Sequence, residues 1–234
     1  MNQDNLQKFL SMELTPAQKA FVESTERFTM FAGGRGMGIG FALRRDLTEI
    51  AINEAGVRIA VISKNVRRIY EAVGDPLIQS GIAREKKDWP RGVSFRNGSE
   101  ICFMPGMNLK DFHRYAGMEF EVIAIYDAHD ITESEHEFIK TMNRTARKGG
   151  TLRMLYTAHP GGVGHQWIKR LFIDRKYKEH EKASDYRFIK ASMQDNPYLM
   201  NDEEYQRALG NLPEETRKTL LDDGWEPEQE KTNE

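Results

Sequence analysis

Apolar residues in this chain form two kinds of pattern that follow each other along the sequence. One is a short continuous run rich in β-branched and aromatic side chains, which is typical of buried strands in a parallel sheet. These runs predict strands at residues 27–32, 57–63, 121–126, 152–157 and 186–191. The other repeats every three to four residues, as on one face of a helix. It predicts helices at residues 41–55, 66–73, 135–145 and 165–172.

The order of these elements predicts the fold class. Strands that alternate with helices indicate an α/β protein with a mainly parallel sheet flanked by helices. Asn97 and Gly98 lie between two apolar runs, at residues 93–95 and 101–103, and predict a β-hairpin. Acidic and polar helices are expected after the last strand. The alternation contains neither an internal repeat nor an interdomain linker, so we expect a single main domain.

Composition narrows the class of protein. The formal net charge is −2 and charged residues make up 30% of the chain, which fits a soluble protein without a global basic field for nucleic acid. No apolar run approaches the roughly 20 residues of a membrane span, and the polar first residues do not resemble a secretory signal. The single cysteine, Cys102, lies in an apolar run and is predicted to be buried. These features predict a cytoplasmic location.

The stretch between the first predicted strand and helix reads FAGGRGMGIGFAL, residues 31–43. Its glycines allow positive φ angles, so backbone N–H groups turn inward and can cradle phosphate beside the amino end of a helix that begins near Gly40. Gly33 and Gly38 keep the spacing of the phosphate loop Gly-x-x-x-x-Gly-Lys-Ser/Thr. Ile39 stands in place of the lysine, and Gly40 in place of the hydroxyl residue. An ordinary glycine-rich turn is the alternative.

Two sets of residues follow from this loop pattern. The glycines that would permit positive φ angles are Gly33, Gly34, Gly36, Gly38 and Gly40. The candidate nucleotide-binding residues of the loop are Gly33, Gly34, Arg35, Gly36, Met37, Gly38, Ile39 and Gly40.

Three polar residues near this loop or at strand ends each allow two interpretations. Thr15-Pro16-Ala17-Gln18 fits a helix capping box, while Gln18, just upstream of the loop, could instead read an adenine edge. Asp127 ends a buried strand, where a carboxylate can hold Mg²⁺ through water or simply cap the next turn. Thr157 lies before a Pro-Gly turn and could sense a γ-phosphate.

Other candidate chemistry is weaker. The chain has six scattered histidines; His159 and His165 are the closest pair around a plausible site, but no carboxylate or cysteine partner lies at zinc spacing. There is also no Gly-x-Ser-x-Gly elbow for a nucleophilic serine. A basic stretch could contact DNA or be a solvated helix face. It consists of Arg144, Arg147, Lys148 and Arg153.

Several segments taken together resemble the ATPase domain of tailed-phage terminase large subunits, which are DNA-packaging motor proteins. These segments are GGRGMGIG, RYAGMEFEVIAIYDAHD, TAHPGGVGHQWIKRLFI, QDNPYL and LLDDGW. Their order and spacing match the family over about residues 12–227. The resemblance implies a phosphate-loop NTPase fold of the ASCE type over residues 1–225. The acidic, polar composition of residues 226–234 predicts a disordered tail. The nuclease domain of the family would follow this region, so no DNA cutting is expected from this chain.

The resemblance also implies roles for individual residues and partners. Gln18 would read adenine, Arg35 would be an arginine finger in cis, and Asp127 would hold Mg²⁺ through water. The Thr157 turn would couple hydrolysis to movement. The implied ligands are ATP and Mg²⁺. The implied partners are double-stranded DNA, a portal protein, a small terminase subunit and a homo-oligomeric ring, in the host cytoplasm if the chain is phage-encoded.

This sequence departs from the family at positions that carry chemistry. Ile39 replaces lysine, Gly40 replaces serine, Ala128 replaces the glutamate that polarises the attacking water, and His159 replaces asparagine. We therefore predict a packaging-ATPase fold in which hydrolysis is lost or severely weakened and nucleotide binding is weak. The alternatives are an active packaging ATPase, a non-catalytic nucleotide- or DNA-binding module, an engineered inactive variant, and a purely structural domain.

Overall fold

The continuous apolar runs form one eight-stranded sheet with the order β3-β4-β5-β2-β6-β7-β1-β8. The structure is a computed structural model and describes residues 2–34, 36–147, 149–191, 196, 200–214 and 225. The strands are β1 Phe28–Gly33, β2 Arg58–Ser63, β3 Arg84–Lys86, β4 Gly92–Ser94, β5 Glu100–Pro105, β6 Val122–Ile125, β7 Arg153–Ala158 and β8 Tyr186–Ala191. The neighbouring strands in the run β5-β2-β6-β7-β1-β8 all pair parallel. The edge pairs β3-β4 and β4-β5 are antiparallel.

Helices connect these strands. They are α1 Gln3–Leu10, α2 Pro16–Val22, α3 Ile39–Asn53, α4 Val66–Ile69, α5 Asp75–Gln79, α6 Leu109–His113, α7 Glu133–Lys140, α8 His165–Ile168 and α9 Glu203–Gly210. Two π-helical turns lie at Tyr70–Gly74, between α4 and α5, and at Lys169–Ile173, after α8. Among the described residues, no helix combines the length and apolar character needed to cross a membrane.

The core lies on both faces of the sheet, which explains why the strands are apolar throughout. In β1, Phe31 belongs to one buried cluster, while Met30 and Ala32 belong to the other. Ile59 and Ala60 divide between the same two clusters in β2. Because successive side chains of a strand point to opposite faces, both faces must be covered by apolar layers. The predicted α/β fold with a mainly parallel sheet is confirmed.

The elements predicted from the sequence are confirmed within a few residues, with three differences. The helix predicted to stop near Gly74 continues to Gln79, because the π turn lets Pro76 enter the first turn of α5, where its missing N–H is tolerated. The helix predicted to reach residue 145 ends at Lys140. Helices α1 and α6 and the short edge strand β3 were not predicted. The hairpin around Asn97 and the buried Cys102 are confirmed.

Four parallel strands place the candidate residues at one edge of the sheet. β1, β2, β6 and β7 run in the same direction, so the loops at their carboxyl ends meet. Several sequence-derived features lie outside the described residues: Arg35, Lys148, the tail at 226–234, and all of QDNPYL and LLDDGW except Asn196 and Trp225.

Candidate nucleotide-binding site

The loop between β1 and α3 turns through two glycines. Gly36 has φ 83° and Gly38 has φ 70°, and the fifteen-residue helix α3 begins directly afterwards at Ile39. Gly33, Gly34 and Gly40 do not adopt the positive φ angles that glycine would permit. Gly33 is the last residue of β1, and a Cβ there would lie 2.4 Å from the backbone oxygen of Ala191. Close approach of β8 therefore explains this glycine.

A cavity of about 280 Å³ opens between this loop and the neighbouring strand ends. It is lined by Gly34, Gly36, Met37, Gly38, Ile39, Gly40, Arg68, Tyr126 and His159. The amino end of α3 carries backbone N–H groups that no helical carbonyl accepts, together with the positive end of the helix dipole. This arrangement can accept an anionic group such as a phosphate.

Gln18 contacts the loop while it caps α2. Its Oε1 accepts a hydrogen bond from the backbone N–H of Thr15 at 3.1 Å, and its own backbone N–H donates to Thr15 Oγ1 at 3.3 Å, so the capping box is present. Its Nε2 lies 3.5 Å from the carbonyl oxygen of Gly38, to which it donates. The side chain is buried and supports the loop through this hydrogen bond, and it is not among the residues that line the cavity.

Asp127 and Thr157 come together at the ends of two adjacent strands. Asp127 takes a left-handed conformation with φ 59°, and its backbone N–H donates to Thr157 Oγ1 at 3.1 Å. The interpretation that its side chain caps the next turn is wrong, because the carboxylate makes no capping hydrogen bond. Instead Asp127 Oδ2 accepts from Arg68 Nη1 at 3.1 Å. An uncommon backbone conformation thus holds a buried carboxylate against Arg68, which lines the cavity.

Two histidines join the β7 turn to the end of β1. His159 Nδ1 lies 2.6 Å from the carbonyl oxygen of Gly33, so this nitrogen carries the proton and donates. The backbone N–H of His159 donates to His129 Nδ1 at 3.2 Å. Burial lowers the pKa of His129, although Asp130 and Asp127 oppose this effect. A neutral imidazole fits this geometry, because Nδ1 must accept a hydrogen bond.

The three positions that lack the family's lysine, serine and glutamate are either buried in apolar surroundings or too crowded for a side chain. The side chains of Ile39 and Ala128 are buried among other apolar residues. A Cβ at Gly40 would lie only 3.3 Å from Tyr126 Oη, so a side chain there would crowd the tyrosine. Sequence reasoning missed Arg68 and Tyr126 as cavity residues. The position of Tyr126 directly before Asp127 was the one available signal.

The residues at this edge do not fit a Mg²⁺ site. Asp127 is paired with a guanidinium, and residue 40 supplies no hydroxyl oxygen. Within the part of the chain that the structure describes, no group of three or more His, Cys, Asp or Glu side chains could hold a metal ion. Mg²⁺ at nucleotide sites is usually held by one or two carboxylates together with substrate phosphates and water. Here the strand-end carboxylate that could serve, Asp127, is already paired with Arg68.

The basic stretch is largely neutralised by acidic neighbours. Arg144 pairs with Glu119, and Arg153 pairs with Asp46. Arg147 pairs with two carboxylates, those of Glu54 and Glu121. The interpretation of this stretch as a solvated helix face is wrong, because it lies after the end of α7 and at the start of β7. These arginines bind parts of the fold to one another.

Comparison with known proteins identifies similar sequences and structures among phage large terminases. The family model described as phage terminase large subunit matches residues 70–219, a span that does not include the glycine-rich loop. No curated protein sequence matches the chain.

Solved large terminases share the fold at low sequence identity. The large terminase of a thermophilic bacteriophage matches with a TM-score of 0.71 and 12% identity, covering 92% of this chain and 54% of that one. The same phage protein in complex with ADP matches with a TM-score of 0.67 and 11% identity, over 91% and 54%. The large terminase ATPase domain of Thermus phage P74-26 matches with a TM-score of 0.62 and 14% identity, over 95% and 97%.

The coverage defines which part of these proteins the chain resembles. It spans about half the length of the thermophilic-phage large terminase, and nearly all of the P74-26 ATPase domain. The family model covers well over half of this chain. The chain belongs to the phage terminase large-subunit family.

Proposed function

We propose that this chain is the ATPase-like part of a DNA-packaging motor protein, with residues 1–225 forming one domain that holds a nucleotide phosphate at the loop between β1 and α3. The observation that carries the proposal is the cavity beside Gly36, Gly38 and the amino end of α3. The thermophilic-phage large terminase, which has the same fold, has been solved with ADP and with ATP-γ-S. The proposed ligand is therefore ATP or ADP.

Hydrolysis is lost or severely weakened in this proposal. A lysine at 39 would place a charge on the β- and γ-phosphates, a hydroxyl at 40 would bind Mg²⁺, and a glutamate at 128 would orient the attacking water. Ile39, Gly40 and Ala128 supply none of these groups. Loss of the general base alone typically costs about 10²–10⁴-fold in rate. Asp127 and Thr157 then serve as the remaining polar groups of an otherwise inactive centre.

The family suggests the partners of the whole protein. We include double-stranded DNA, a portal protein, a small terminase subunit and a homo-oligomeric ring in the proposal, with the host cytoplasm as the location. In this assembly, a chain that binds nucleotide without turnover would be a conformational or DNA-binding subunit. The internal pairing of Arg144, Arg147 and Arg153 gives no support to DNA contact at that stretch.

Steady-state ATP hydrolysis in the presence of Mg²⁺ tests the proposal. We expect a rate at background, and a turnover of about 1 s⁻¹, within the usual enzyme range, would contradict the proposal. Titration with a fluorescent ATP analogue then separates a nucleotide-binding module from a purely structural domain. Saturable binding that unlabelled ADP competes away is expected, and its absence would overturn the nucleotide site.

A further inference from the structure

Two side chains outside the loop pattern share the cavity with the loop. Arg68 lies in α4, which follows β2, and Tyr126 directly follows β6. β2 and β6 are hydrogen-bonded neighbours in the sheet. Their carboxyl ends therefore bring a guanidinium and a phenol to the amino end of α3, although the two residues are far apart in sequence.

Tyr126 stands where the loop lacks a hydroxyl. A Cβ at Gly40 would lie 3.3 Å from Tyr126 Oη and 3.5 Å from Ala72 Cβ. The glycine at 40 and the tyrosine at 126 are thus sterically complementary, and the phenolic oxygen lies beside the first turn of α3. Burial and the charge of Asp127 raise the pKa of Tyr126, so its hydroxyl keeps its proton and can donate.

Arg68 stands where the loop lacks a positive charge. Among the described residues that line the cavity, it is the one with a permanent positive charge. Its side chain is 44% exposed, and it is tied to Asp127 by a hydrogen bond from Nη1. A guanidinium has five N–H donors, so it can keep this partner and still present a fork to phosphate oxygens.

We infer that Arg68 and Tyr126 form a metal-independent phosphate clamp for a nucleoside diphosphate or triphosphate. This inference rests on the proposed nucleotide site. The Arg68 guanidinium takes the role of the missing lysine, and the Tyr126 hydroxyl takes that of the missing loop hydroxyl. The charge that neutralises the phosphates then comes from the protein, so binding does not require Mg²⁺. Asp127 holds Arg68 in place and competes with the phosphate for it.

Calorimetric titration with ADP, in EDTA and in Mg²⁺, tests the clamp. The parent chain should bind with nearly the same Kd in both buffers. Arg68→Gln should weaken binding roughly ten- to hundredfold, as for loss of a charge-assisted hydrogen bond. Tyr126→Phe should weaken it by a few-fold. Arg67→Gln is the matched control, because Arg67 is the neighbouring residue, is 83% exposed, pairs with Glu71 and does not line the cavity. It should bind like the parent.

Asp127→Asn gives an independent test that does not remove the clamp. Asparagine also tolerates the left-handed conformation at this position. Removing the competing charge should tighten ADP binding roughly three- to tenfold in EDTA. If Asp127 were instead a Mg²⁺ ligand, the same change would weaken binding in Mg²⁺ and the parent would lose affinity in EDTA; either result overturns the clamp.

The outcomes separate this inference from the proposed function. If the parent binds ADP and a folded Arg68→Gln variant binds it with the same affinity, the clamp is overturned but the nucleotide site is not. Circular dichroism shows whether the variant is folded. If Arg68→Gln does not fold, Arg68→Lys replaces it and should retain partial affinity, because it keeps the charge and loses the fork. Absence of ADP binding by the parent and by every variant overturns the nucleotide site itself.

Discussion

Two buried carboxylates at opposite ends of β6 have very different surroundings. Glu121 directly precedes the strand, and Asp127 follows it by two residues; each is 5% exposed. Glu121 accepts hydrogen bonds from the backbone N–H of Arg58 at 3.0 Å, from Thr145 Oγ1 at 2.9 Å and from Arg147 Nε at 2.9 Å. Asp127 is held by the half-exposed Arg68 and has a strained backbone.

The difference shows which end holds the fold together and which end is arranged for a ligand. Although burial opposes it, the hydrogen bonds from Arg58, Thr145 and Arg147 lower the pKa of Glu121. Its oxygens are saturated by fixed donors. Asp127 has a partner that can move toward solvent or toward a ligand, and its neighbours frame a cavity. Strained and incompletely satisfied groups are characteristic of functional sites.

The largest expected effect comes from restoring the missing chemistry at the Asp127 end. Combining Ile39→Lys, Gly40→Ser and Ala128→Glu should raise ATP hydrolysis in Mg²⁺ by about 10²-fold or more over the parent, whereas each single change should recover little, because such groups act as a unit. A phosphate-release assay measures this rate.

Contact between residue 40 and Tyr126 should limit the activity of the triple variant. A serine at 40 would meet Tyr126 Oη, so the triple variant combined with Tyr126→Phe should exceed the triple variant alone. Residue 128 is fully buried, so thermal unfolding must first show that these variants fold. A folded variant with background hydrolysis and no nucleotide-dependent thermal shift would mean that the loop is only a turn.

The next effect concerns stability at the opposite end of β6. Glu121→Ala should lower the free energy of unfolding by about 3 kcal/mol, because the backbone N–H of Arg58, Thr145 Oγ1 and Arg147 Nε all lose their acceptor, although Arg147 keeps its ion pair with Glu54. Asp127→Asn should cost less than about 1 kcal/mol, since Arg68 can turn to solvent. Urea unfolding measures both. Equal losses in the two variants would remove the distinction between a structural end and a ligand end.

A further effect, graded with pH, is expected from a buried group that belongs to the fold and not to the cavity. Burial lowers the pKa of His136 to about 3, and its Nε2 lies 3.0 Å from Tyr156 Oη. The unfolded chain binds this proton near pH ~6.5, so stability should be complete above that value and fall as the pH drops toward about 3, by at most about 1.4 kcal/mol per pH unit.

Unfolding curves between about pH 7 and pH 4 check the His136 prediction, because this window lies between the unfolded and folded pKa values. His136→Phe should flatten this part of the profile, because phenylalanine can stack on Trp167 as the imidazole does and has no proton to bind. A parent profile as flat as that of the variant would show that His136 does not control stability in acid.

The sequence predicted the sheet well and the site only in part. Local apolar runs predict buried strands such as β2 and β6, and the Asn97-Gly98 pair predicts the hairpin between β4 and β5. The clamp depends on the order of strands, which places β2 beside β6 and so brings Arg68 to Asp127. No local sequence pattern predicts that β2 lies beside β6, so the contact between Arg68 and Asp127 could not be predicted.

The remaining differences also have a tertiary cause. Pro76 predicts the end of a helix, yet the π-helical turn Tyr70–Gly74 before it allows helix α5 to follow without a break. Gly33 and Gly40 looked like turn glycines, but close approach of Ala191 and Tyr126 explains them better. Contacts between elements therefore decide positions where several local conformations are available.

Amide hydrogen exchange with and without saturating ADP, in EDTA, tests the central claim most directly. We predict slower exchange in the amides of residues 36–41 and 126–129, where the loop, the start of α3 and the Asp127 end of β6 face the cavity. Exchange at residues 119–121 and 145–147, around Glu121, should stay unchanged. Protection at neither end, or equal protection at both, would contradict the claim that only the carboxyl end of β6 is arranged for a ligand.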